Sequence, residues 1–191
     1  MSYFVVDVEA DGELVGLHSI VCFGVVKVAD TSKTFYGKIK PLNNVYNADA
    51  LAVSGFSREE HEQFDDPHIV MSDFDKWLSE NSDGKPVFIS DNVAFDWQWI
   101  NWYMHKYVGR NLFGFSGRRI GDLYCGMMKD ASKNQEWKRK LRITKHTHNP
   151  VDDAMGNAEA LLAMQKMGLK IKIPQRLPNQ IMQNRISQDR S

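Results

Sequence analysis

Cysteine is scarce in this chain of 191 residues: Cys22 and Cys125 are the two present. Two cysteines make no disulfide framework and match no zinc-ligand spacing, so neither a stapled extracellular scaffold nor a zinc module is expected. Cys22 lies in an apolar run and reads as a core residue. Long hydrophobic runs are missing, and with them any segment able to span a membrane. The opening MSYFVVDVEADG offers no basic region of a signal peptide before the acids begin at position 7, so the expectation is a cytoplasmic protein with no membrane partner. Excess charge of one sign is also absent, since 24 Lys and Arg balance 24 Asp and Glu. A protein that coats long duplexes by charge alone would be basic, so any contact with nucleic acid has to be local. Neither Gly-x-Ser-x-Gly nor a Walker loop occurs, which sets aside a nucleophile-elbow hydrolase and a P-loop ATPase.

What is present fits one domain with a full core, 42% hydrophobic and 25% charged. Three runs rich in β-branched and aromatic residues, 3–8, 18–28 and 33–39, predict strands joined by short connections, the first followed by the turn Asp11-Gly12. They suggest an antiparallel meander. Ser57-Arg58-Glu59-Glu60 fits a capping box with Phe56 as its staple, so a short helix should start near 58. Apolar residues at 70, 71, 74, 77 and 78 predict a helix over 67–80. Residues 86–90 read as a central strand, Asn92 as the cap of a helix over 93–107, and 118–122 as a short strand leading into a helix that carries Leu123, Met127 and Met128. Residues 132–147, polar and basic, read as a loop or mobile arm. Asn149-Pro150 starts a helix that should run to Met167 and stop at Gly168. The fold expected is α/β, a mixed central sheet with an antiparallel N-terminal meander plus parallel strands, flanked by helices. Residues 1–169 form the domain, and 170–191 an extension, ordered at first and flexible towards its end.

Asp7 and Glu9 stand at i and i+2, so on one strand their side chains leave the same face. Two acids in a strand that otherwise reads YFVV are costly unless a cation joins them. Divalent cations with oxygen ligands are the usual remedy. Alternatively the strand ends at Val6 and both acids are solvated. Asp96 and Asp153 fall in the first turns of predicted helices, where acids also complement the helix dipole. Asp152, at N3, is the better candidate for simple capping. His148 precedes the same helix by two residues, a position where a lone histidine commonly makes ordinary hydrogen bonds.

In order, these elements resemble the DEDDh 3′→5′ exonucleases of the RNase H-like superfamily. The first motif stands as Asp7-Val8-Glu9-Ala10-Asp11-Gly12, the second as Asn92-Val93-Ala94-Phe95-Asp96, and the third as His148-Asn149-Pro150-Val151-Asp152-Asp153. The resemblance covers roughly residues 3–168. Ser90-Asp91-Asn92 with Phe95-Asp96-Trp97 looks most like exoribonucleases of the RNase AS type, and Ile120-Gly121-Asp122-Leu123 resembles the family's Asp-Thr-Leu element, with Asp122 structural. Position 10 is Ala where many members have Thr, and position 91 is Asp where many have His.

The resemblance implies an RNase H-like fold and a two-metal 3′→5′ exonuclease. Asp7, Glu9, Asp96 and Asp153 would hold two Mg²⁺ ions, with Mn²⁺ able to substitute, and His148 would be the general base. Asp7 would bridge both ions, Glu9 and Asp153 would share the site that activates water, and Asp96 would serve the second ion. The substrate expected is single-stranded nucleic acid with a free 3′ end, RNA ahead of DNA, cut to nucleoside 5′-monophosphates. Leu14, Leu17, Phe56 and Asn92 are the candidate substrate contacts. The run Lys138, Arg139, Lys140, Arg142 and Lys145 could hold backbone phosphates or be solvated surface. Trp97, Trp99, Trp102, Tyr103 and Tyr107, at helical spacing, read as core or subunit packing. A homodimer is a further expectation. The rival readings are a single-stranded DNA exonuclease and a non-catalytic nucleic-acid-binding module.

Overall fold

A computed structural model describes residues 1–173. The meander forms as β1 (Ser2–Ala10), β2 (Ile20–Lys27) and β3 (Thr34–Lys38), each antiparallel to the next. β4 (Pro86–Ser90) returns parallel to β1, and β5 (Gly117–Arg119) lies parallel to β4, giving a five-stranded sheet ordered β3-β2-β1-β4-β5. The period of β1 sorts its side chains between two cores. Phe4, Val6 and Val8 join the core under α3 (Pro67–Glu80) and α4 (Val93–Tyr107). Tyr3 and Val5 join the core under α5 (Ile120–Met128), α6 (Glu136–Leu141) and α7 (Pro150–Lys166). The first core is largely aromatic: Phe4, Phe74 and Phe88 all pack near Phe113, with Phe88 and Phe113 meeting edge-on at 5.3 Å. Trp99 and Tyr103 are fully buried there, as their spacing predicts, while Trp97 and Trp102 line an open hollow of about 660 Å³ on the outer side of α4. Among the described residues no helix is long and apolar enough to cross a membrane.

Several local readings change. α2 (Arg58–Glu62) begins with the capping box read from sequence, and Phe56, just before it, packs on Phe64 with ring centroids 5.0 Å apart. A further short helix, α1 (Ala48–Val53), was not foreseen; Asn47 caps it by accepting from Asp49 N at 2.9 Å. Asn92 occupies the N-cap position of α4, yet its side chain makes no capping bond. The strand expected over 118–122 stops at Arg119, because Ile120 already opens α5 with its side chain in the core. Residues 132–147 are no free arm. A 3-10 turn at Ala131–Lys133 leads into α6, whose Trp137 is fully buried and donates its indole N–H to Asn134 O at 2.9 Å. α7 starts at Pro150 under an Asn149 cap and is followed by Gly168 at φ 109°. Of the extension, residues 170–173 lie against the α7-side core through Ile171 and Ile173, while 174–191 fall outside the described residues.

Candidate metal and catalytic site

β1 continues past the point where β4 leaves it. Their pairing ends at Val5 with Ile89, so Asp7 and Glu9 still lie within β1, paired with β2 alone. Being odd-numbered like Tyr3 and Val5, they emerge on the face covered by α7. Two glycines let that face close. Gly24 pairs with Asp7 across the β1–β2 ladder, and a Cβ there would collide with the backbone of Pro150 at the start of α7. A Cβ at Gly156, one turn into α7, would meet Arg142 Nη2 at 2.7 Å and Thr144 O at 2.7 Å. The start of α7 therefore sits directly on the sheet, and the 142–147 segment crosses α7 without a gap.

Asp153, in the first turn of α7, thereby reaches the β1 acids: ligating oxygens of Asp7, Glu9 and Asp153 all lie within 4.8 Å of one another. Asp96 approaches from the other side of the sheet edge. Its Oδ1 accepts from Val8 N at 3.1 Å, a donor left open where β4 has ended. Asp96 is buried, and its charge reaches Asp7. Burial raises the Asp7 carboxyl well above the usual range, with Asp96, Asp153 and Glu9 adding to it. Glu9 is pushed up to about 7 by burial and by Asp153. Asp96 is pushed up to about 8 by burial, against the pull of the Val8 amide. Three carboxyls that resist ionisation, gathered beside Asp153, fit oxygen-preferring divalent cations, whose charge would reverse these three shifts.

Asp153 is the most heavily bonded of the four. Its Oδ1 accepts from Arg142 Nη2 at 3.0 Å and from Thr147 N at 3.3 Å, and lies 2.6 Å from His146 Nδ1; its Oδ2 accepts from His148 N at 3.1 Å. His148 takes a left-handed backbone, φ 60°, uncommon for a residue with a side chain. That twist points its amide at Asp153 while Nδ1 stands 3.6 Å from Glu9 Oε1, with the ring half exposed. Asp152, read from sequence as a capping residue, accepts from the Thr147 side chain, Oγ1 at 3.0 Å, while Asn149 caps the helix through Val151 N.

The cleft around these groups has a volume of about 280 Å³ and is lined by the acids Asp7, Asp91 and Asp153 and by the bases Lys138, Arg142 and His146. Asp91 forms an ion pair with Lys138, which ties α6 to the cleft wall. Arg142 was read from sequence only as one of a basic run that could hold phosphates or be solvated, and His146 was not named. The alternation His146-x-His148 was the signal available for the latter. Asp122 pairs with Arg119 at 3.3 Å, outside the cleft lining.

The candidate substrate residues are distributed unevenly. Leu14 and Leu17 are 59% and 46% exposed on the turn after Glu9. Buried Asp11 fixes that turn by accepting from Ser19 N at 2.6 Å and from Arg58 at 3.3 Å, and it stands beside buried His61. Asn92 is exposed at the head of α4. Phe56 is half-buried, with Lys38 Nζ 4.8 Å above its ring. Val53, 45% exposed on α1, is a further apolar group that the sequence reading passed over.

No model of a known protein family matches the chain. A curated protein of Escherichia coli, the 3′-5′ DNA exonuclease Cap18, is 30% identical over 175 residues, covering 88% of this chain and 94% of its own. The chain belongs to the DEDDh 3′→5′ exonucleases. The fold of this exonuclease is shared by the nuclease domain of 3′hExo, a DEDDh family member solved with rAMP bound, at TM-score 0.72 and 17% identity over 92% of this chain and 97% of that one. It is shared also by Pop2p of S. pombe, solved in its Mg²⁺- and Mn²⁺-bound form, at TM-score 0.66 and 12% identity over 90% and 86% of the two chains. The exonuclease thus has the mixed RNase H-like sheet expected of it.

Proposed function

We propose that this exonuclease removes nucleotides one at a time from the 3′ end of single-stranded nucleic acid, using two divalent cations held by Asp7, Glu9, Asp96 and Asp153. The convergence of three of these carboxylates within 4.8 Å, on a strand and a helix that two glycines bring together, carries the reading. All donors being oxygen, Mg²⁺ or Mn²⁺ suits the set better than a softer metal. Such ions, when bound, supply positive charge to the attacking and leaving oxygens of an in-line displacement. His148 accepts the proton of the attacking water, and Glu9 beside it favours the imidazolium that results. The water oxygen bonds to phosphorus and the bond from phosphorus to the upstream 3′ oxygen breaks. A nucleoside 5′-monophosphate leaves, and the strand keeps a new 3′ hydroxyl.

Leu14 and Leu17 offer apolar surface beside Glu9 on which a terminal base can rest, with Phe56 and Asn92 as further contacts. Between the two sugars, the DNA exonuclease relative favours DNA over the RNA expected from sequence. RNA stays as the second reading on the strength of the stretch from Ser90 to Trp97. Digesting 5′-labelled RNA and DNA of one sequence side by side tests both. A ladder that shortens from the 3′ end and releases mononucleotides is expected, faster on DNA. Internal cuts, or no cleavage of either strand with Mg²⁺ or Mn²⁺, would remove the proposal.

A further inference from the structure

His146 and His148 alternate along the segment that leads into α7, and their rings meet edge-on with centroids 4.3 Å apart. Below them lies Asp153, with His146 Nδ1 2.6 Å from its Oδ1. Ligating atoms of His146, His148 and Asp153 all fall within 4.8 Å of one another. This is a second donor set, distinct in chemistry from the carboxylate set with which it shares Asp153. Two imidazoles and one carboxylate suit a borderline transition metal such as Zn²⁺ and are poor ligands for Mg²⁺.

The geometry needs little adjustment. Donors on a tetrahedral zinc stand ~3.4 Å apart, so the 2.6 Å His146–Asp153 pair opens and the wider separations close, each by a movement of about an ångström. The two histidines can supply it, their side chains being 56% and 49% exposed. Asp153 is 1% exposed and held by Arg142 and two backbone amides, so it serves as a fixed anchor. Glu9, 3.6 Å from His148 Nδ1, or a water completes four ligands.

We propose that His146, His148 and Asp153 form a Zn²⁺ site that switches the exonuclease off. The inhibitory half rests on the reading of His148 as general base: zinc on its imidazole removes the proton acceptor and diverts Asp153 from the Mg²⁺ set. The metal site itself does not depend on that reading.

The test is Zn²⁺ binding by calorimetry, and Co²⁺ binding by its visible absorption, in excess Mg²⁺ and without substrate. The wild type should bind one Zn²⁺ per chain. H146N should weaken it by about tenfold or more, and D7N should leave it unchanged. The Zn²⁺ concentration that halves Mg²⁺-dependent hydrolysis should rise in H146N by the same factor, measured against that variant's own rate. Equal affinity in H146N and wild type would overturn the site, as would a loss in D7N matching that in H146N. If binding tracks His146 in a protein that hydrolyses no strand, the metal site stands and the exonuclease reading falls.

Discussion

Asp7 and Glu9 were legible at the level of single residues because two acids one pleat apart in an apolar strand need a reason. Asp96 and Asp153 carried no such signal, since an acid in a first helical turn has a sufficient local explanation in the dipole. In the sequence they gained their weight from the order of the motifs, and in the structure position in space adds to it: Asp96 on the open Val8 amide, Asp153 above β1. Arg142 stayed hidden because a guanidinium among Lys138, Arg139 and Lys140 looks solvated, whereas its side chain is 9% exposed and bonded to Asp153. Two predictions belong here. D7N should lower kcat about a thousandfold or more, since metal-held charge is worth several kcal/mol in the transition state. The same change should raise the melting temperature in chelator, because it removes a carboxylate crowded by Asp96, Asp153 and Glu9. A variant that loses both activity and metal-free stability would show that Asp7 is structural. H148A should cost about 10²- to 10⁴-fold in kcat, with Mn²⁺ affinity by calorimetry changed little; an equal loss of affinity would make His148 a metal ligand in place of a base.

At the scale of elements, the long periodic segments could be read, as could short α2 through its capping box, while α1 and α6 could not. α3, α4 and α7 have three or more turns, enough for the apolar period and the end signals to agree. α1 and α6 have six residues each, too few for a period, and α6 is anchored by Trp137 in a stretch whose average is basic. The close approach of α7 to β2 was likewise illegible, because Gly24 inside an apolar strand shows nothing of its neighbour until the fold is built. G24A tests that approach. Its Cβ has no room against the Pro150 backbone, so α7 must lift from the sheet, at a cost of about 1–3 kcal/mol. Lifting α7 carries Asp153 away from Asp7, so metal affinity should fall together with urea stability. Stability lost with affinity intact would separate the packing of α7 from the making of the site. Glu159 offers a milder lever on the same element. Its carboxylate accepts from Ile143 N at 3.0 Å and Thr144 N at 2.7 Å, holding the 142–147 segment against α7, so E159Q should loosen Arg142 and His146 without moving α7.

For the molecule as a whole, the cost of gathering carboxyls at one end of the sheet should show in how stability depends on pH and metal. Glu9 stands at about 7 against an ordinary 4.5, and Asp96 at about 8 against 3.8. A group whose folded pKa is raised binds more protons folded than unfolded between the two values, so stability falls as pH rises through that interval. Asp7 and Asp11, also raised mainly by burial, act in the same direction. His61 opposes them at lower pH. Burial keeps it neutral, so its contribution is lost as pH falls below its ordinary 6.5 and is complete above that value. Between pH 6.5 and about 8 the raised carboxyls should dominate the slope, and in chelator the melting temperature should decline across that range. Above it Cys22, whose thiol burial pushes from 9.0 up to about 12, adds to the slope. Saturating Mg²⁺ or Mn²⁺ should remove the decline, because bound cations favour the ionised carboxylates and bind more tightly as the ligands lose their protons. At a hundred times Kd the stabilisation is about 2.7 kcal/mol, so the gain in melting temperature on adding metal should be readily measured, and larger at pH 9 than at 6.5. A melting temperature that holds level in chelator, or a metal-induced gain that does not grow with pH, would mean that the carboxyls ionise freely without cations, and the physical case for a metal centre at Asp7 would go with it.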